Sequence, residues 1–397
     1  MNFQFLCDRH LFFYQLKLIF ANKKIIARYS NFFNQLSHYS RYYLITEKLS
    51  VSIIWHIKKL INKQSQKLNR NFLQLSNTSR LLKMISQKTQ LLFSLTSKIL
   101  HKNSSTHLVT KTLFEKKPAK LFSLYQKSNK PDIHNNLVVL HGLFGSHTNF
   151  RSITLNPLIS NQVNTYLLDL RNHGLSEHTD SMSLQDMGAD LVNFLEQNNI
   201  RNAILMGHSI GGRAIMSAMQ YYGSSLDPYV KAAVICDIAP GNLVQARTAD
   251  LMETWVMIHK LLDIDFHGKD RTKIDKEVRA IIPNPQVAGF MMMNVIPDEQ
   301  VPGQYKWRIN LKAIRDYYKQ NLGAEIKDAN FLKPSFVICG ARSHYINQSK
   351  IAEFGNVFPN INYDRDVYFI KGAGHWLHAD KPAEFIQKVS EFLTRVH

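Results

Sequence analysis

The pattern of hydrophobic and polar positions changes at about Leu121. From there to the C terminus, short apolar runs alternate with segments of helical periodicity. The runs are short enough for buried strands and cover 136–140, 163–169, 203–206, 231–240, 334–340 and 367–370. Strands that alternate with helices are typical of a mostly parallel sheet covered on both faces. The pattern therefore predicts an α/β fold for this part of the chain.

Two helical segments have clear beginnings and one apolar face each. The first follows Ser183 in a sequence that resembles a capping box, and the last begins at Pro382. Their predicted inner faces are Met187, Leu191 and Phe194 in the first, and Phe385, Val389 and Phe392 in the last. We expect both helices to pack on the sheet.

The strand pattern stops between Gly241 and about residue 330. Amphipathic helices, the run Met291–Met293 and the sequence Trp307-Arg-Ile-Asn310 replace it. This change predicts an inserted helical cap over a pocket. The methionine and aromatic side chains could line an acyl-binding cavity or form the core of the cap.

A candidate nucleophile follows the run 203–206. The sequence Gly207-His208-Ser209-Ile210-Gly211 has the G-x-S-x-G pattern of a nucleophile elbow, and a helical segment comes after it. Such a turn strains its central residue, and glycines tolerate the crowding because they lack a β-carbon. We therefore expect Ser209 to present its hydroxyl at the end of a strand.

Acyl transfer also needs two N–H donors where the oxyanion forms. The turn after the strand 136–140, His141-Gly142-Leu143-Phe144-Gly145, can supply one donor, and the residue after the nucleophile can supply the other. We assign these donors to Leu143 and Ile210. His141 and His208 are interpreted as scaffolding within their loops.

A serine nucleophile needs a base and an acid. His375 lies on a glycine-rich turn after the last predicted strand, and Asp237 lies near the carboxyl end of the run 231–240. Sites of open α/β sheets assemble at the carboxyl ends of strands, and the order Ser, Asp, His is the one this arrangement uses. The sequence therefore predicts a triad of Ser209, His375 and Asp237.

The remaining polar groups near these motifs are interpreted as structural. Asp169, Arg171 and His173 leave a strand together, where polar loops usually satisfy their own backbone, and His378 lies one turn beyond His375. The three cysteines, Cys7, Cys236 and Cys339, have neither disulfide nor metal spacing, and the last two are expected in the core.

The first 106 residues differ in composition from the rest. They hold 17 of the 49 Lys and Arg residues, only 2 of the 30 Asp and Glu residues, and neither proline nor glycine. Most of the net charge of +19 therefore belongs to this segment, which argues against a basic nucleic-acid-binding surface on the whole protein. No stretch has the ~18 uncharged apolar residues of a membrane span.

A basic, hydroxylated and acid-poor segment is typical of an organelle transit peptide. We interpret residues 1–106 as a basic extension with a mitochondrial targeting segment, and Met84 as a possible working start. The alternative is a basic disordered or membrane-surface extension that the mature protein retains. Residues 107–397 then form the catalytic domain, with the cap at about 241–330.

Six motifs in order resemble the alpha/beta hydrolase domain-containing protein 11 family and its bacterial esterase relatives. They are His-Gly-Leu-Phe-Gly-Ser, Asp-x-Arg-Asn-His-Gly, Gly-His-Ser-Ile-Gly-Gly, Asp-Ile-Ala-Pro, Trp-Arg-Ile-Asn-Leu and Ala-Gly-His-Trp-Leu-His-Ala-Asp-Lys-Pro. The resemblance runs from about Leu121 to the C terminus. It implies the alpha/beta-hydrolase fold and a mitochondrial, cofactor-free serine hydrolase of acyl esters, with Ser209 as nucleophile and His375 as base.

One departure from the family concerns the acid of the triad. Family members often have an acid two positions after the Asn of Trp-Arg-x-Asn-Leu, where this chain has Lys312. The loop 341–345, the common position in this fold, has no carboxylate, and Asp364 and Asp366 precede the last strand. Asp237 is left as the predicted acid.

Two further functions were weighed against ester hydrolysis. A hydrolase-fold protein can serve as a scaffold or partner subunit of a mitochondrial assembly, although the intact Ser209, Asp237 and His375 argue against that alone. Nucleic-acid binding by the basic extension has no motif to support it. Ester and thioester substrates stay open, and we expect no metal, no transmembrane span and possible protein partners.

Overall fold

The computed structural model describes residues 117–243, 248–321, 323–346 and 348–396, with side chains omitted at 248–251, 348 and 349. The predicted N-terminal extension, residues 1–106 with Met84, lies outside the described residues.

A seven-stranded sheet forms the centre of the domain. Its strands are β1 (Ser123–Gln126), β2 (Asn136–Leu140), β3 (Asn164–Leu168), β4 (Ala203–His208), β5 (Val230–Cys236), β8 (Ser335–Gly340) and β9 (Val367–Ile370). They lie in the order β1-β3-β2-β4-β5-β8-β9, and only β1 pairs antiparallel. The mostly parallel sheet confirms the predicted α/β fold.

Helices join these strands. They are α1 (Arg151–Leu155), α2 (Pro157–Ser160), α3 (Leu184–Gln197), α4 (Ile210–Tyr222), α5 (Thr248–Leu262), α6 (Arg271–Ile281), α7 (Pro285–Met292), α8 (Leu311–Asn321), α9 (Gln348–Ile351), α10 (Tyr363–Asp366), α11 (Leu377–Asp380) and α12 (Pro382–Arg395). Short 3₁₀ segments cover His147–Phe150, Gly223–Leu226 and Ala352–Asn356. None of the described helices is long and apolar enough to cross a membrane.

The predicted helix beginnings and inner faces are confirmed. Ser183 accepts a hydrogen bond from the N–H of Asp186 and forms the capping box at the start of α3. Pro382 occupies the first turn of α12. The six residues of the two predicted inner faces are all buried: Met187, Leu191, Phe194, Phe385, Val389 and Phe392.

The core is built on both faces of the central strands. All six residues of β4 and all six of β8 are buried, as buried parallel strands require. Cys236 and Cys339 are fully buried in this core, as predicted, and burial raises the pKa of both thiols. They pack as apolar side chains.

One strand is shorter than the apolar run that predicted it. The run 231–240 continues to Pro240, but β5 ends at Cys236. Asp237 has φ 53°, in the left-handed region, so the chain turns out of the sheet at the carboxylate. The bend places Asp237 beyond the carboxyl end of the strand.

The segment between β5 and β8 forms the predicted cap, with one difference. Its helices α5 to α8 are joined by a small antiparallel hairpin of β6 (Val295–Pro297) and β7 (Tyr305–Trp307), which the sequence did not predict. Each strand has only three residues, too few to give a recognisable alternation.

Candidate active site

Ser209 lies on the turn between β4 and α4. Its backbone has φ 53° and ψ −122°, a strained conformation for a residue with a side chain. A β-carbon at Gly207 would lie 2.6 Å from the carbonyl oxygen of Gly211, and one at Gly211 would lie 2.5 Å from that of Leu140. The turn can therefore form only because glycine occupies both positions.

His375 and Asp237 are joined by a short hydrogen bond. The distance from His375 Nδ1 to Asp237 Oδ2 is 2.7 Å. Because a carboxylate only accepts hydrogen bonds, Nδ1 carries a proton, and the lone pair of the neutral ring is then on Nε2. Asp237 is fully buried, whereas His375 lines a cavity together with Ser209.

Two further donors hold the Asp237 carboxylate. The N–H of Gly340 donates to Oδ1 at 2.9 Å, and the Ser343 hydroxyl donates to Oδ2. Asp237 lies close to Ser209 because the N–H of Ser209 donates to the carbonyl of Cys236 at 3.0 Å. The carboxylate is thus fixed both to the neighbouring strand and to the loop after β8.

The imidazole of His375 is packed between two rings. Tyr345 stacks on it with ring centroids 4.0 Å apart, and His208 lies 4.8 Å away. His208 donates from Nε2 to the carbonyl of His375 at 2.8 Å, and burial holds its pKa well below the usual value. A neutral His208 that supports the His375 backbone agrees with the scaffolding role expected for it.

The predicted oxyanion donors, Leu143 and Ile210, line the same cavity as Ser209. Ile210 is the first residue of α4, so its N–H has no acceptor within the helix. His141 is fixed beside them, because Nδ1 donates to the carbonyl of Gly142 at 2.7 Å and Nε2 accepts from Leu170 N–H at 3.0 Å.

The loop after β3 supports this region without entering the cavity. Arg171 forms a buried ion pair with Asp190 at 2.6 Å, and the carboxylate of Asp169 accepts the N–H of Leu175 at 2.8 Å. His173 is fully buried, and burial lowers its pKa to about 3. These contacts agree with the structural roles expected for Asp169, Arg171 and His173.

A cavity of about 860 Å³ lies between the sheet and the cap. Apolar side chains from α5, α6 and α7 line its cap side: Met252, Val256, Met257, Ile281, Val287 and Phe290. The run Met291–Met293 does not line it, since Met291 and Met292 are buried in the cap core. Trp307 also packs inside the cap, 5.5 Å from Phe266.

The other candidate acids lie elsewhere. Lys312, at the position where the family often has an acid, is exposed on α8 and does not line the cavity. Asp366 precedes β9 and pairs with Arg365 and Arg395 at 2.9 Å and 2.8 Å. Of the carboxylates considered from the sequence, only Asp237 contacts His375.

Two residues at the site were missed by the sequence analysis. Ser343 and Tyr345 both lie in the loop that was set aside because it lacks a carboxylate. The sequence did offer one signal, the hydroxyl of Ser343 at the position where this fold commonly has the acid. Such a hydroxyl can donate to an acid that follows the neighbouring strand of the sheet. His378, expected to be structural, stacks on Phe150 at 4.4 Å, and burial lowers its pKa to about 4.

Comparison with known proteins agrees with this geometry. Residues 137–388 match the model of the alpha/beta hydrolase family. The sn-1-specific diacylglycerol lipase ABHD11 of Danio rerio is 33% identical over 65% of this chain and 78% of its own. The esterase YbfF of Escherichia coli strain K12 is 30% identical over 66% of this chain and 94% of its own.

A solved structure of an esterase is also similar to this chain. A marine microorganism esterase superposes with a TM-score of 0.60 at 33% identity, over 69% of this chain and 99% of its own. The range 137–388 matched by the family model includes the elbow and the cap. The chain therefore belongs to the alpha/beta hydrolase family and, within it, to the carboxylic ester hydrolases of the alpha/beta hydrolase domain-containing protein 11 family.

Proposed function

We propose that this protein hydrolyses acyl esters with Ser209 as nucleophile, His375 as general base and Asp237 as the acid of the triad. The observation that carries the proposal is the 2.7 Å hydrogen bond from His375 to Asp237, in the same cavity as a serine on a strained elbow. Nucleophile, base and orienting acid are the three groups that this chemistry requires.

In the proposed mechanism, His375 Nε2 takes the Ser209 proton as the serine oxygen attacks the ester carbonyl. The N–H groups of Leu143 and Ile210 stabilise the oxyanion, and the alcohol leaves with the proton from His375. Water then attacks the acyl-enzyme by the same route and regenerates Ser209. Asp237 holds the imidazole in the required tautomer and stabilises its cation.

The substrate class follows from the cavity. An apolar, methionine-containing wall suits an aliphatic acyl chain, because thioethers adapt to irregular apolar shapes. The Danio rerio relative is named as a diacylglycerol lipase, and a glyceride ester is one candidate for this chain. Comparing matched ester and thioester substrates decides which leaving group the site prefers.

The location is proposed from the sequence and the family. Residues 1–106 are basic and acid-poor, and we infer that they contain a mitochondrial targeting segment ahead of a catalytic domain at 107–397. The N-terminal sequence of the mature protein from its native cell tests this. A mature chain that begins at Met1 would contradict it.

Replacing Ser209 by Ala tests the proposed function. We expect wild-type protein to hydrolyse p-nitrophenyl esters and to be labelled by a fluorophosphonate, and Ser209→Ala to do neither while keeping its thermal unfolding temperature. Ser217→Ala is the matched control, because Ser217 lies on α4, the helix that follows Ser209, is buried, and has a hydroxyl with no partner among the described residues.

Three outcomes separate the possibilities. Activity and labelling lost only in Ser209→Ala support the proposal. Turnover retained by Ser209→Ala means that the nucleophile is elsewhere. Wild-type protein that neither turns over nor labels favours the scaffold function instead.

A further inference from the structure

The proposed oxyanion donor Leu143 lies in a tight turn whose orientation must be fixed. The N–H of Gly145 donates to the carbonyl of Gly142 at 3.0 Å, which closes the turn over Leu143 and Phe144. The Gly142 carbonyl and the Leu143 N–H belong to the same trans peptide and point in opposite directions. Whatever holds the turn therefore sets the direction of the Leu143 N–H.

This turn contains a strained residue. Phe144 has φ 62°, which costs a residue with a β-carbon about 1–2 kcal/mol. A turn of this sense favours glycine at that position, so the chain needs other contacts to keep it. One is the hydrogen bond from Phe144 N–H to His173 Nε2, at 3.1 Å, on the sheet side.

The other contact comes from the cap. Asn294 Nδ2 donates to the carbonyl of Phe144 at 2.9 Å, in a buried environment. Among the described residues between β5 and β8, Asn294 is the one whose side chain hydrogen bonds to this turn. Both peptide groups beside the Phe144 α-carbon are thus held, one from each side of the cavity.

Asn294 is itself rigid. It is 1% exposed, its N–H donates to the carbonyl of Met291 at 2.9 Å, and its carbonyl accepts from Arg308 N–H at 2.7 Å. It follows α7 directly, and α7 carries Val287 and Phe290 into the cavity wall. The Asn294 side chain, which contacts the turn, is therefore connected to α7, which lines the cavity.

We propose that Asn294 is a positioning residue through which the cap holds the oxyanion turn in its active conformation. The inference rests on the proposed function, because it assigns a task only if Leu143 N–H stabilises an oxyanion. With the cap seated, both neighbours of Phe144 are fixed and the Leu143 N–H points into the site. The Gly142 carbonyl is also held by His141 Nδ1 at 2.7 Å. Without the Asn294 contact, however, Phe144 can relax toward right-handed φ, which loosens the turn and misaligns the donor.

Asn310 provides a matched control. It also joins the cap to the sheet domain, since its Nδ2 donates to Asn172 Oδ1 and to the carbonyl of Thr179, both at 3.2 Å. Neither contact touches the oxyanion turn. An effect of general cap loosening should appear in variants of both asparagines, whereas an effect on the oxyanion should appear only in those of Asn294.

The test compares Asn294→Ala, Asn294→Leu and Asn310→Ala in the full chain, with Ser209→Ala as a blank. Active sites are titrated with a fluorophosphonate, and kcat and KM are measured for a p-nitrophenyl ester per titrated site, beside thermal unfolding. Asn294→Leu keeps the size and branching of the side chain without the amide donor, and it gives the same test if Asn294→Ala does not fold.

We expect the Asn294 variants to lose at least about tenfold in kcat with KM within about twofold, since complete loss of an oxyanion donor costs about 10²–10³. Asn310→Ala should keep kcat within about twofold even where its unfolding temperature falls. Asn294 variants with wild-type kcat per site, or an equal loss in Asn310→Ala, would overturn the inference. A Ser209→Ala protein that retains turnover would instead contradict the proposed function.

Discussion

At the scale of single residues, the contacts of Asp237 support its proposed role as the acid of the triad. Three hydrogen bonds converge on the Asp237 carboxylate, from His375, Gly340 and Ser343. The proposed acid therefore follows β5 directly, and the loop after β8 supplies a hydroxyl in place of a carboxylate. This exchange is compatible with Lys312 in the cap, because no acid is needed there.

Asp237→Asn tests this assignment. Asparagine keeps the shape but offers its amide to the imidazole, which favours the wrong tautomer, and serine triads lose about 10⁴ in kcat from this change. We expect a similar loss in ester turnover. Asp366→Asn is the control, since it removes another buried carboxylate, which lies at the amino ends of the strands rather than at their carboxyl ends. A loss of less than about tenfold in Asp237→Asn, beside an inactive Ser209→Ala, would place the acid elsewhere or indicate a Ser-His dyad.

Some residues of the candidate site could be predicted from the sequence and others could not, for a physical reason. Ser209 lies in a local pattern, and Asp237 and His375 each follow a strand, so position along the chain was enough to propose them. Ser343 and Asn294 act through contacts that span 106 and 150 residues. No local pattern specifies such a pair, because the contact exists only once the strands and cap have packed.

At the scale of elements, the cap is attached to the sheet domain by a buried cation. Arg213, one turn after Ser209 on α4, donates to the carbonyls of Ala239 and Gly241 at 3.2 Å and 2.8 Å, and also to that of Ala324. These carbonyls belong to the segments that enter and leave the cap. The nucleophile helix thus fixes both connections of the cap, which keeps the cavity wall in register with Ser209.

The elements that the sequence predicted correctly are those with repeated patterns. Buried strands and amphipathic helices are recognised from the spacing of their apolar residues. The bounds of β2 and β9 match the apolar runs. The hairpin in the cap and the early end of β5 did not follow from such a pattern. Both depend on backbone turns whose cause is tertiary.

The junction of β4 and α4 gives a prediction at this scale. A β-carbon at Gly207 would lie 2.6 Å from backbone atoms of Gly211 and Gly212, which cannot move aside without shifting the helix. We expect Gly207→Ala to lower the unfolding temperature and to lose most ester turnover. Gly289→Ala on α7 is the control, since nothing lies within 4 Å of its added methyl group. A Gly207→Ala enzyme with wild-type kcat would contradict the tight elbow.

At the scale of the whole molecule, several buried histidines are neutral parts of the scaffold. His173, His208 and His378 are buried, and burial is the largest cause that lowers the pKa of each. For His173 the pKa falls to about 3 and for His378 to about 4. An unfolded chain returns each of them to an ordinary value near 6.5.

These shifts predict how stability depends on pH. Below about pH 6.5 the unfolded chain binds protons that the folded chain does not, so the free energy of unfolding falls as the pH falls. The stabilisation is complete above pH 6.5. It is lost as the pH falls toward the pKa values in the folded protein, about 3 for His173 and about 4 for His378. From pH 7.5 to 5.5 the loss is about 1.4 kcal/mol for His173 and the same for His378, and these two alone lower the unfolding temperature by roughly 6 °C.

Thermal unfolding at pH 7.5 and 5.5 measures this effect in a range where ordinary carboxyl groups stay ionised. His378→Gln is the matched variant, because His378 Nδ1 has no hydrogen-bond partner among the described residues. Removing this titrating histidine should reduce the pH dependence by about 1.4 kcal/mol, while the contributions of the other buried histidines, His141, His173 and His208, remain. An unfolding temperature that does not change between the two pH values would show that these side chains are not held neutral by the fold.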